Sequence, residues 1–205
     1  MDTPSDLGRR ERRKLETRAR IVGAAADLFI EKGFAATKVA DICARVDIAQ
    51  KTFFNYFPSK QHLLTEIAHE SLAELCGQIE TARKEEDSTE ERLLHFFQET
   101  AERTAQAGPM NRELLSELVH VVNESTEKST HARKLHDAFG EIVRDGLEAG
   151  EVTRRHAPET LTEMILGAYY VLMFNYANLD GYAIQRHAKA VARFLGDALS
   201  PLPEE

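Results

Sequence analysis

Two Glu-x-x-His spacings, Glu66/His69 and Glu117/His120, could in principle support metal chemistry in this sequence. Helical bundles that hold two iron ions use this spacing, because it places a carboxylate and an imidazole on one helical face. On helical wheels, however, both pairs fall on the polar side of their helices, while leucine and valine take the inner side. Metal ligands must converge inward. We therefore predict no metal site and keep a ferritin-like di-iron enzyme as an alternative.

The remaining sequence contains no recognised catalytic pattern. Gly-x-Ser-x-Gly, P-loop, His-Glu-x-x-His and dinucleotide-binding motifs do not occur. Cys43 lies on the apolar face of a short predicted helix, and buried free cysteines usually pack as small hydrophobic residues. We therefore expect no catalytic residue, no cofactor and no enzymatic activity.

A third group of residues has side chains suited to reading DNA. On a helical wheel of residues 48–57, Phe53 and Phe57 share the inward face. The outward face and its flanks carry polar residues and one aromatic residue, namely Gln50, Lys51, Thr52, Phe54 and Asn55. Lysine reaches guanine acceptors, Asn or Gln pairs with adenine, and Phe contacts the thymine methyl group. These residue types predict a helix that enters the major groove.

The preceding residues form the elements that position this helix. A first helix is predicted at about 15–32, and Gly33 ends it. Thr37 is a suitable N-cap for a short helix that extends to residue 46. Two short helices joined by a tight turn and braced by a longer one have the spacing of a helix-turn-helix. Thr37 and Lys60 both stand at helix starts, where backbone N–H groups favour phosphate.

Residues 37–60, TKVADICARVDIAQKTFFNYFPSK, resemble the signature of the tetracycline-repressor (TetR) family. The shared features are a Thr-capped helix, a turn, a Thr-aromatic-aromatic-x-Tyr-Phe helix and a Ser-Lys helix start, and the resemblance covers about residues 15–64. It implies a DNA-binding transcription regulator, most often a repressor, that binds a palindromic operator. Tyr56 is carried over as a phosphate contact. The predicted DNA-binding residues are Thr37, Lys38, Gln50, Lys51, Thr52, Phe54, Asn55, Tyr56 and Lys60.

The sequence departs from the family pattern at four positions. Asp47 stands where the turn usually has glycine, although aspartate tolerates a left-handed conformation better than most residues. Ala49 replaces a common serine cap, Lys51 replaces a small residue, and Phe54 replaces a frequent tyrosine. We therefore expect Lys51 to make an individual contact, and we expect no phosphate hydrogen bond from position 54.

Charge is distributed unevenly along the 205 residues, whose net charge is −8. Residues 1–60 carry a net +4 and residues 61–205 a net −12. Such segregation is typical of a nucleic-acid-binding end joined to an acidic body. We predict an all-α fold with a DNA-binding domain at 1–57, of which residues 1–14 are a disordered basic arm. A helical-bundle effector and dimerisation domain follows at 58–205.

Further helices are predicted at about 60–84, 89–107, 110–124, 127–149, 157–178 and 182–199. The 157–178 helix is apolar nearly all round, and the last helix carries one apolar stripe, Ile184, Ala188, Val191, Ala192, Leu195 and Leu199. Such surfaces require covering, and the resemblance implies pairing through the last two helices. We expect a homodimer through residues 157–199, with an internal helix of a monomer as the alternative.

Bulky apolar residues on the inner faces of the body helices predict a pocket for a small apolar or aromatic effector. The candidates are Phe97, Leu118, Phe139, Met164 and Tyr169, which suit adaptable apolar ligands. Close packing of the same residues as core is the alternative. No apolar run is long enough to span a bilayer, and no signal peptide is present, so we expect a cytoplasmic protein. The sequence identifies neither the effector nor the operator.

Overall fold

The computed structural model describes residues 4–106 and 128–201, with side chains from Gly8 onward except those of residues 68–69 and 128–132. Every regular element in these ranges is an α-helix. The helices are α1 (Pro4–Lys32), α2 (Val39–Val46), α3 (Gln50–Tyr56), α4 (Lys60–Glu85), α5 (Thr89–Gln106), α6 (Lys128–Ala149), α7 (Pro158–Asn178) and α8 (Ile184–Leu199). The predicted all-α class is confirmed. The helix expected at 110–124, with Leu118, Glu117 and His120, lies outside the described residues.

The predicted helix boundaries agree with the structure within a few residues, except at the N-terminus. We expected residues 1–14 to be disordered, but α1 begins at Pro4, so that expectation is wrong from Pro4 onward. Proline is favoured in the first turn of a helix, where its missing N–H group is not needed. Arg, Lys and Glu, which fill most of the segment that follows, are good helix formers. At the other end Gly33, with a φ of 84°, terminates α1.

The described residues divide into two compact units, one up to Ala68 and one from His69 onward. In the first unit, the apolar faces of α1, α2, α3 and the start of α4 enclose a small core. Its buried members are Ile21, Val22, Ala24, Ala25, Leu28, Phe29, Ile42, Cys43, Val46, Phe53, Phe57, Leu63, Leu64 and Ile67. Phe34 packs edge-on against Phe29 with ring centroids 5.1 Å apart, as the helix-ending glycine predicts.

In the second unit, α8 packs along α5, and α6 packs on α7. The apolar stripe of α8 is therefore covered by its own chain: Leu195 is 4% exposed and Ala188 and Ala192 are fully buried. The expectation that this stripe forms a subunit seam is wrong, because α5 already occupies it. Among the described residues, no helix is both long and apolar enough to cross a membrane.

Candidate nucleic-acid interface and effector site

The turn between α2 and α3 depends on Asp47. Its φ of 56° and ψ of 57° place it in the left-handed region, as expected for a residue that replaces glycine. The N–H group of Ile48 donates to the carbonyl oxygen of Cys43 at 3.0 Å and closes the turn. Ala49 then caps α3 without a side-chain hydrogen bond, so the first N–H groups of α3 are not satisfied by that side chain.

The two faces of α3 differ in burial as the helical wheel predicts. Phe53 and Phe57 are buried at 0% and 1% exposure, and their rings lie 5.9 Å apart. Gln50, Lys51, Phe54 and Asn55 are exposed, and Thr52 and Tyr56 are half-buried. Phe54 is 51% exposed, which leaves an aromatic ring at the surface among amide and ammonium groups. Their contact with DNA remains a prediction.

Two arginines of α1 hold the ends of the helix-turn-helix. Arg20 donates to the carbonyl oxygen of Val46, the last residue of α2, at 2.8 Å. Arg18 donates to the carbonyl oxygen of Tyr56, the last residue of α3, at 3.4 Å and lies 4.6 Å from the centroid of the Phe57 ring. A positively charged side chain near the C-terminus of a helix is stabilising, because the carbonyl groups there carry partial negative charge. Sequence reasoning missed both arginines, since neither belongs to the motif they support.

Thr37 and Lys60, both predicted to contact phosphate, are hydrogen-bonded within the protein, and Lys60 begins α4 as expected. The Thr37 side chain is 1% exposed, and its hydroxyl group donates to the carbonyl oxygens of Gly33 and Leu28 at 2.8 and 3.2 Å. The N-cap of α2 is Lys38 and not Thr37. Lys60 Nζ donates to the carbonyl oxygen of Thr37 at 2.9 Å. Both side chains are thus engaged within the protein, whereas Lys38 is exposed.

Asp41, in the first turn of α2, joins that helix to α1. One oxygen of its carboxylate accepts from Lys32 Nζ at 2.8 Å and from the backbone N–H group of Lys38 at 2.9 Å. These two hydrogen bonds, the one from Lys32 first, lower the pKa of Asp41 below its usual value. Arg45 and Glu31 form a second link between the same helices through two hydrogen bonds of 2.7 and 3.0 Å. The α1–α2 arrangement is therefore fixed on both sides.

An aromatic cluster occupies the interior of the second unit. Phe96 lies at its centre: its ring is 5.0 Å from that of Phe139, 5.3 Å from that of Phe97 and 5.9 Å from that of Tyr169. The three described effector candidates Phe97, Phe139 and Tyr169 are all buried, as expected. Sequence reasoning missed Phe96, although its spacing from Phe97 and from the other buried residues of α5 fits the same helical face.

Met164 is the described candidate that does not join this cluster. Its side chain is 58% exposed, so the expectation that it faces inward is wrong. It belongs to an exposed apolar face of α7 that also contains Val171 and Phe174, at 59% and 62% exposure. These three residues follow i, i+7, i+10 spacing and therefore lie along one side of the helix. Phe194 of α8 is a further large exposed apolar residue, at 69%.

The Tyr169 hydroxyl group is buried beside Phe96 and Phe139. Tyr169 is 8% exposed, and within the described part of the chain its hydroxyl group makes no hydrogen bond. Burial raises its pKa strongly, because the phenolate would lose its hydration. Tyr176, two turns further along α7, instead donates to the carbonyl oxygen of Thr104 at 3.2 Å. The cluster therefore holds one polar atom that has no hydrogen-bond partner among the described residues.

The described residues contain no group of three or more His, Cys, Asp or Glu side chains that could hold a metal ion. The Glu66 carboxylate of the first Glu-x-x-His pair accepts a hydrogen bond from Arg18. The His69 side chain and the Glu117/His120 pair lie outside the described residues. Because Glu66 is paired with Arg18, its carboxylate links α4 to α1 within the first unit.

The first unit is similar to a known family of proteins. Residues 21–67 match the family described as "Bacterial regulatory proteins, tetR family". A curated relative, the HTH-type transcriptional repressor KstR2 of Rhodococcus jostii (strain RHA1), is 29% identical over 136 residues. That match covers 65% of this chain and 64% of the relative, so the chain spans somewhat less than two thirds of the relative's length.

Solved structures share the fold over nearly the whole chain. A TetR-family transcriptional regulator from Pectobacterium atrosepticum superposes with a TM-score of 0.75 at 18% identity, covering 94% of this chain and 98% of its own. The Thermus thermophilus repressor FadR, solved in complex with lauroyl-CoA, gives a TM-score of 0.68 at 24% identity and covers 92% and 98% of the two chains. These similarities show that the fold is that of TetR-family regulators.

Proposed function

We propose that this TetR-family chain is a transcription regulator that binds operator DNA through α3. The observation that carries the proposal is the exposed face of α3, where Lys51, Phe54 and Asn55 stand on a helix anchored by the buried Phe53 and Phe57. Such a face presents donors and acceptors for base edges at the end of a rigid support. DNA binding is assigned to residues 1–57, and dimerisation and effector binding to residues 58–205. The similarity to KstR2 supports repression.

We propose different roles for the candidate residues according to the contacts that each one makes. Base contacts are assigned to Gln50, Lys51, Thr52, Phe54 and Asn55, and backbone contacts to Lys38 and Tyr56. Thr37 and Lys60 are assigned the support of α2, because their polar atoms are hydrogen-bonded within the protein. A phosphate would have to displace those bonds before it could bind either side chain.

We propose a homodimer that pairs through the exposed face of α7, Met164, Val171 and Phe174, together with Phe194 of α8. Apolar residues at i, i+7 and i+10 repeat as the seam of a paired helix does, and Gly167 lies between them at i+3. A Cβ atom built on Gly167 would meet nothing within 4 Å, so the helix backbone is open there. A two-fold pair of recognition helices fits half-sites about 34–36 Å apart, one turn of DNA.

We propose that the aromatic cluster of the second unit binds a small, mostly apolar effector that releases the DNA. Phe97, Phe139 and Tyr169 keep their proposed roles, and Phe96 joins them. The hydroxyl group of Tyr169, which has no hydrogen-bond partner among the described residues, would give such a ligand one hydrogen bond. The repressor FadR, which has a similar fold and was solved in complex with lauroyl-CoA, supports a ligand with an apolar part. A ligand can shift DNA affinity only if it binds the two states differently.

Selection of duplexes from a random pool by the full chain tests the DNA-binding proposal. We expect recovery of a near-palindromic sequence, whose affinity falls linearly on a logarithmic salt axis. Recovery of no enriched sequence would contradict the proposal. A stoichiometric amount of iron in the purified protein would instead favour the di-iron alternative.

Sedimentation at micromolar concentration tests the dimer. Phe174→Glu should give a monomer that binds the selected duplex poorly, because the charge would be buried at the seam. Leu15→Glu is the matched control, since Leu15 is 61% exposed but lies in the first unit. The control should leave the sedimentation coefficient unchanged. A monomeric wild type would contradict the dimer and leave DNA binding as a separate question.

Effector binding is tested by thermal shift with lauroyl-CoA and a set of apolar metabolites. A ligand that raises the melting temperature should also weaken DNA binding by about 1–3 kcal/mol, and DNA should weaken ligand binding by the same factor. A ligand that stabilises the protein without changing the dissociation constant for DNA would contradict the release mechanism.

A further inference from the structure

The start of α1 carries a basic segment, Arg9, Arg12, Arg13 and Lys14, that the recognition helix does not explain. All four residues are exposed. Among the residues that the structure describes, none of these four side chains has an ion-pair partner, although Glu16 lies one helical turn from Arg12 and Arg13. Four unneutralised cations within six positions repel one another, which favours an anionic partner.

Some other exposed arginines of the described residues are paired with carboxylates. Arg45 binds Glu31 at 2.7 Å, and Arg103 binds Glu99 at 2.6 Å. With 34 Asp and Glu residues in the chain against 26 Lys and Arg residues, carboxylate partners are plentiful. The basic segment thus has no ion-pair partner among the described residues, although carboxylates are abundant in the chain.

The basic segment is held by the same helix that supports the helix-turn-helix. Arg9 and Arg13 continue the helical stripe of Arg20, at spacings of eleven and seven residues, and Lys14 precedes Arg18 by four. Arg20 and Arg18 bind the carbonyl groups that end α2 and α3. At 1.5 Å per residue, Arg9 lies about 16 Å further along the axis than Arg20. The cations thus extend from the first unit on a continuous helix.

The composition of the segment favours DNA over a membrane as the anion. A helix that lies on a bilayer needs an apolar face that enters the lipid. Residues 8–16 read GRRERRKLE and contain one large apolar side chain, Leu15. A duplex, in contrast, presents one phosphate per about 3.4 Å of each strand, which suits a run of cations about 8 Å long.

We propose that Arg9, Arg12, Arg13 and Lys14 bind the DNA phosphate backbone outside the base pairs that α3 contacts. This inference rests on the proposed function of the first unit. Phosphate contacts carry no sequence information, so the basic segment raises the affinity for every duplex and leaves the choice of operator to α3. The segment also extends the length of DNA that each protomer covers.

The test is the salt dependence of DNA binding by the full chain and by the variant R9Q/R12Q/R13Q. Glutamine has nearly the helix propensity of arginine, so α1 should persist by circular dichroism. Two duplexes are used, one selected by the wild type from a random pool and one of mixed sequence. The slope of log affinity against log salt should become shallower by about 2–3 units. Affinity for both duplexes should fall at least about tenfold at 0.1 M salt, with their ratio preserved.

R186Q/K189Q/R193Q is the matched control, because it removes three exposed cations from one face of α8 and should leave the slope unchanged. A triple α1 variant with the wild-type slope would overturn the inference. The inference would also be overturned if the triple α1 variant kept the wild-type salt slope for DNA but lost binding to phosphatidylserine vesicles. That result would indicate a membrane partner. If the wild type itself binds neither duplex in a salt-dependent way, the proposed function fails; if the wild type binds and the α1 variant matches it, this inference alone fails.

Discussion

Lys60 Nζ donates a hydrogen bond to the carbonyl oxygen of Thr37 at 2.9 Å. The same ammonium group binds the carbonyl oxygen of Phe34 and lies 4.1 Å from the centroid of the Phe34 ring. The start of α4 is thereby joined to the loop that precedes α2. Lys60 therefore has a structural role in the first unit, and its contact with phosphate stays a prediction.

Lys60→Ala should lower the stability of the protein. The substitution removes two charge-assisted hydrogen bonds and a cation–π contact at a half-buried site, which together are worth about 1–2 kcal/mol. Urea unfolding measures the change. Lys84→Ala is the matched control: its side chain is 71% exposed and pairs with Glu80, so a change near zero is expected. Equal midpoints for Lys60→Ala and the wild type would contradict the structural role.

Lys51→Ala should weaken DNA binding and leave stability unchanged. Lys51 is exposed in the middle of the outward face of α3, so its removal costs a contact only when DNA is present. A lost base contact costs about 1–3 kcal/mol and relaxes selectivity at one position of the operator. Titration of a duplex series with single base changes measures both effects. Lys84→Ala again serves as the control, and an unchanged dissociation constant for Lys51→Ala would place α3 outside the groove.

Periodicity and capping residues predict much of the first unit correctly. The inward position of Phe53 and Phe57, the left-handed turn at Asp47 and the end of α1 at Gly33 each depend on local chemistry that a sequence displays. The supports of the site depend on distant pairs. Arg18 reaches the end of α3, 38 residues away, and such a contact has no periodic signal.

Two predictions for the second unit, that the α8 stripe forms a subunit seam and that Met164 faces inward, are wrong for the same physical reason. A stripe such as that of α8 shows that one face is covered but does not identify the covering element, which is α5 of the same chain. For α7, apolar on all sides, the pattern cannot distinguish the interior position of Tyr169 from the surface position of Met164. Long-range packing decides both cases.

Asp41→Asn should reduce stability at neutral pH and have a smaller effect in acid. Because the pKa of Asp41 is lowered in the folded state, mainly by the hydrogen bond from Lys32, the ionised carboxylate stabilises the fold above its unfolded pKa near 4. That contribution is lost as the pH falls through the lower folded pKa. Unfolding midpoints measured from pH 7 to pH 3 should therefore converge for variant and wild type. Lys32→Met should show the same convergence, and parallel curves down to pH 3 would contradict the assignment.

Gly146→Ala should destabilise the second unit. A Cβ atom at Gly146 would lie 2.4 Å from Thr89 Oγ1 and 2.4 Å from Val152 Cγ2, and Thr89 is itself fixed by hydrogen bonds of 2.7 and 2.8 Å to Glu151. Overpacking of this kind costs about 1–3 kcal/mol, partly offset by up to about 1 kcal/mol of helix propensity.

Gly140→Ala is the matched control on the same helix. An added Cβ atom there would meet the Thr162 side chain at 3.8 Å, an ordinary contact. The helix propensity gain should therefore raise the stability of this variant by up to about 1 kcal/mol. Thermal unfolding should move the two variants in opposite directions, and a Gly146→Ala protein more stable than the wild type would contradict the packing around Thr89.

Tyr169→Phe should stabilise the protein, although it deletes a polar group from the proposed effector site. The hydroxyl group is buried beside Phe96 and Phe139 without a hydrogen-bond partner among the described residues, so the folded state carries its desolvation penalty. Removal of that penalty should add about 1 kcal/mol to the free energy of unfolding. Tyr176→Phe deletes the same atom type from the same helix but breaks the bond to the Thr104 carbonyl oxygen, and should cost about 1 kcal/mol. Urea titrations of both variants without ligand measure the contrast. A loss of stability in Tyr169→Phe equal to that in Tyr176→Phe would mean that the Tyr169 hydroxyl group is already satisfied within the protein, and it would no longer be free to bind an effector.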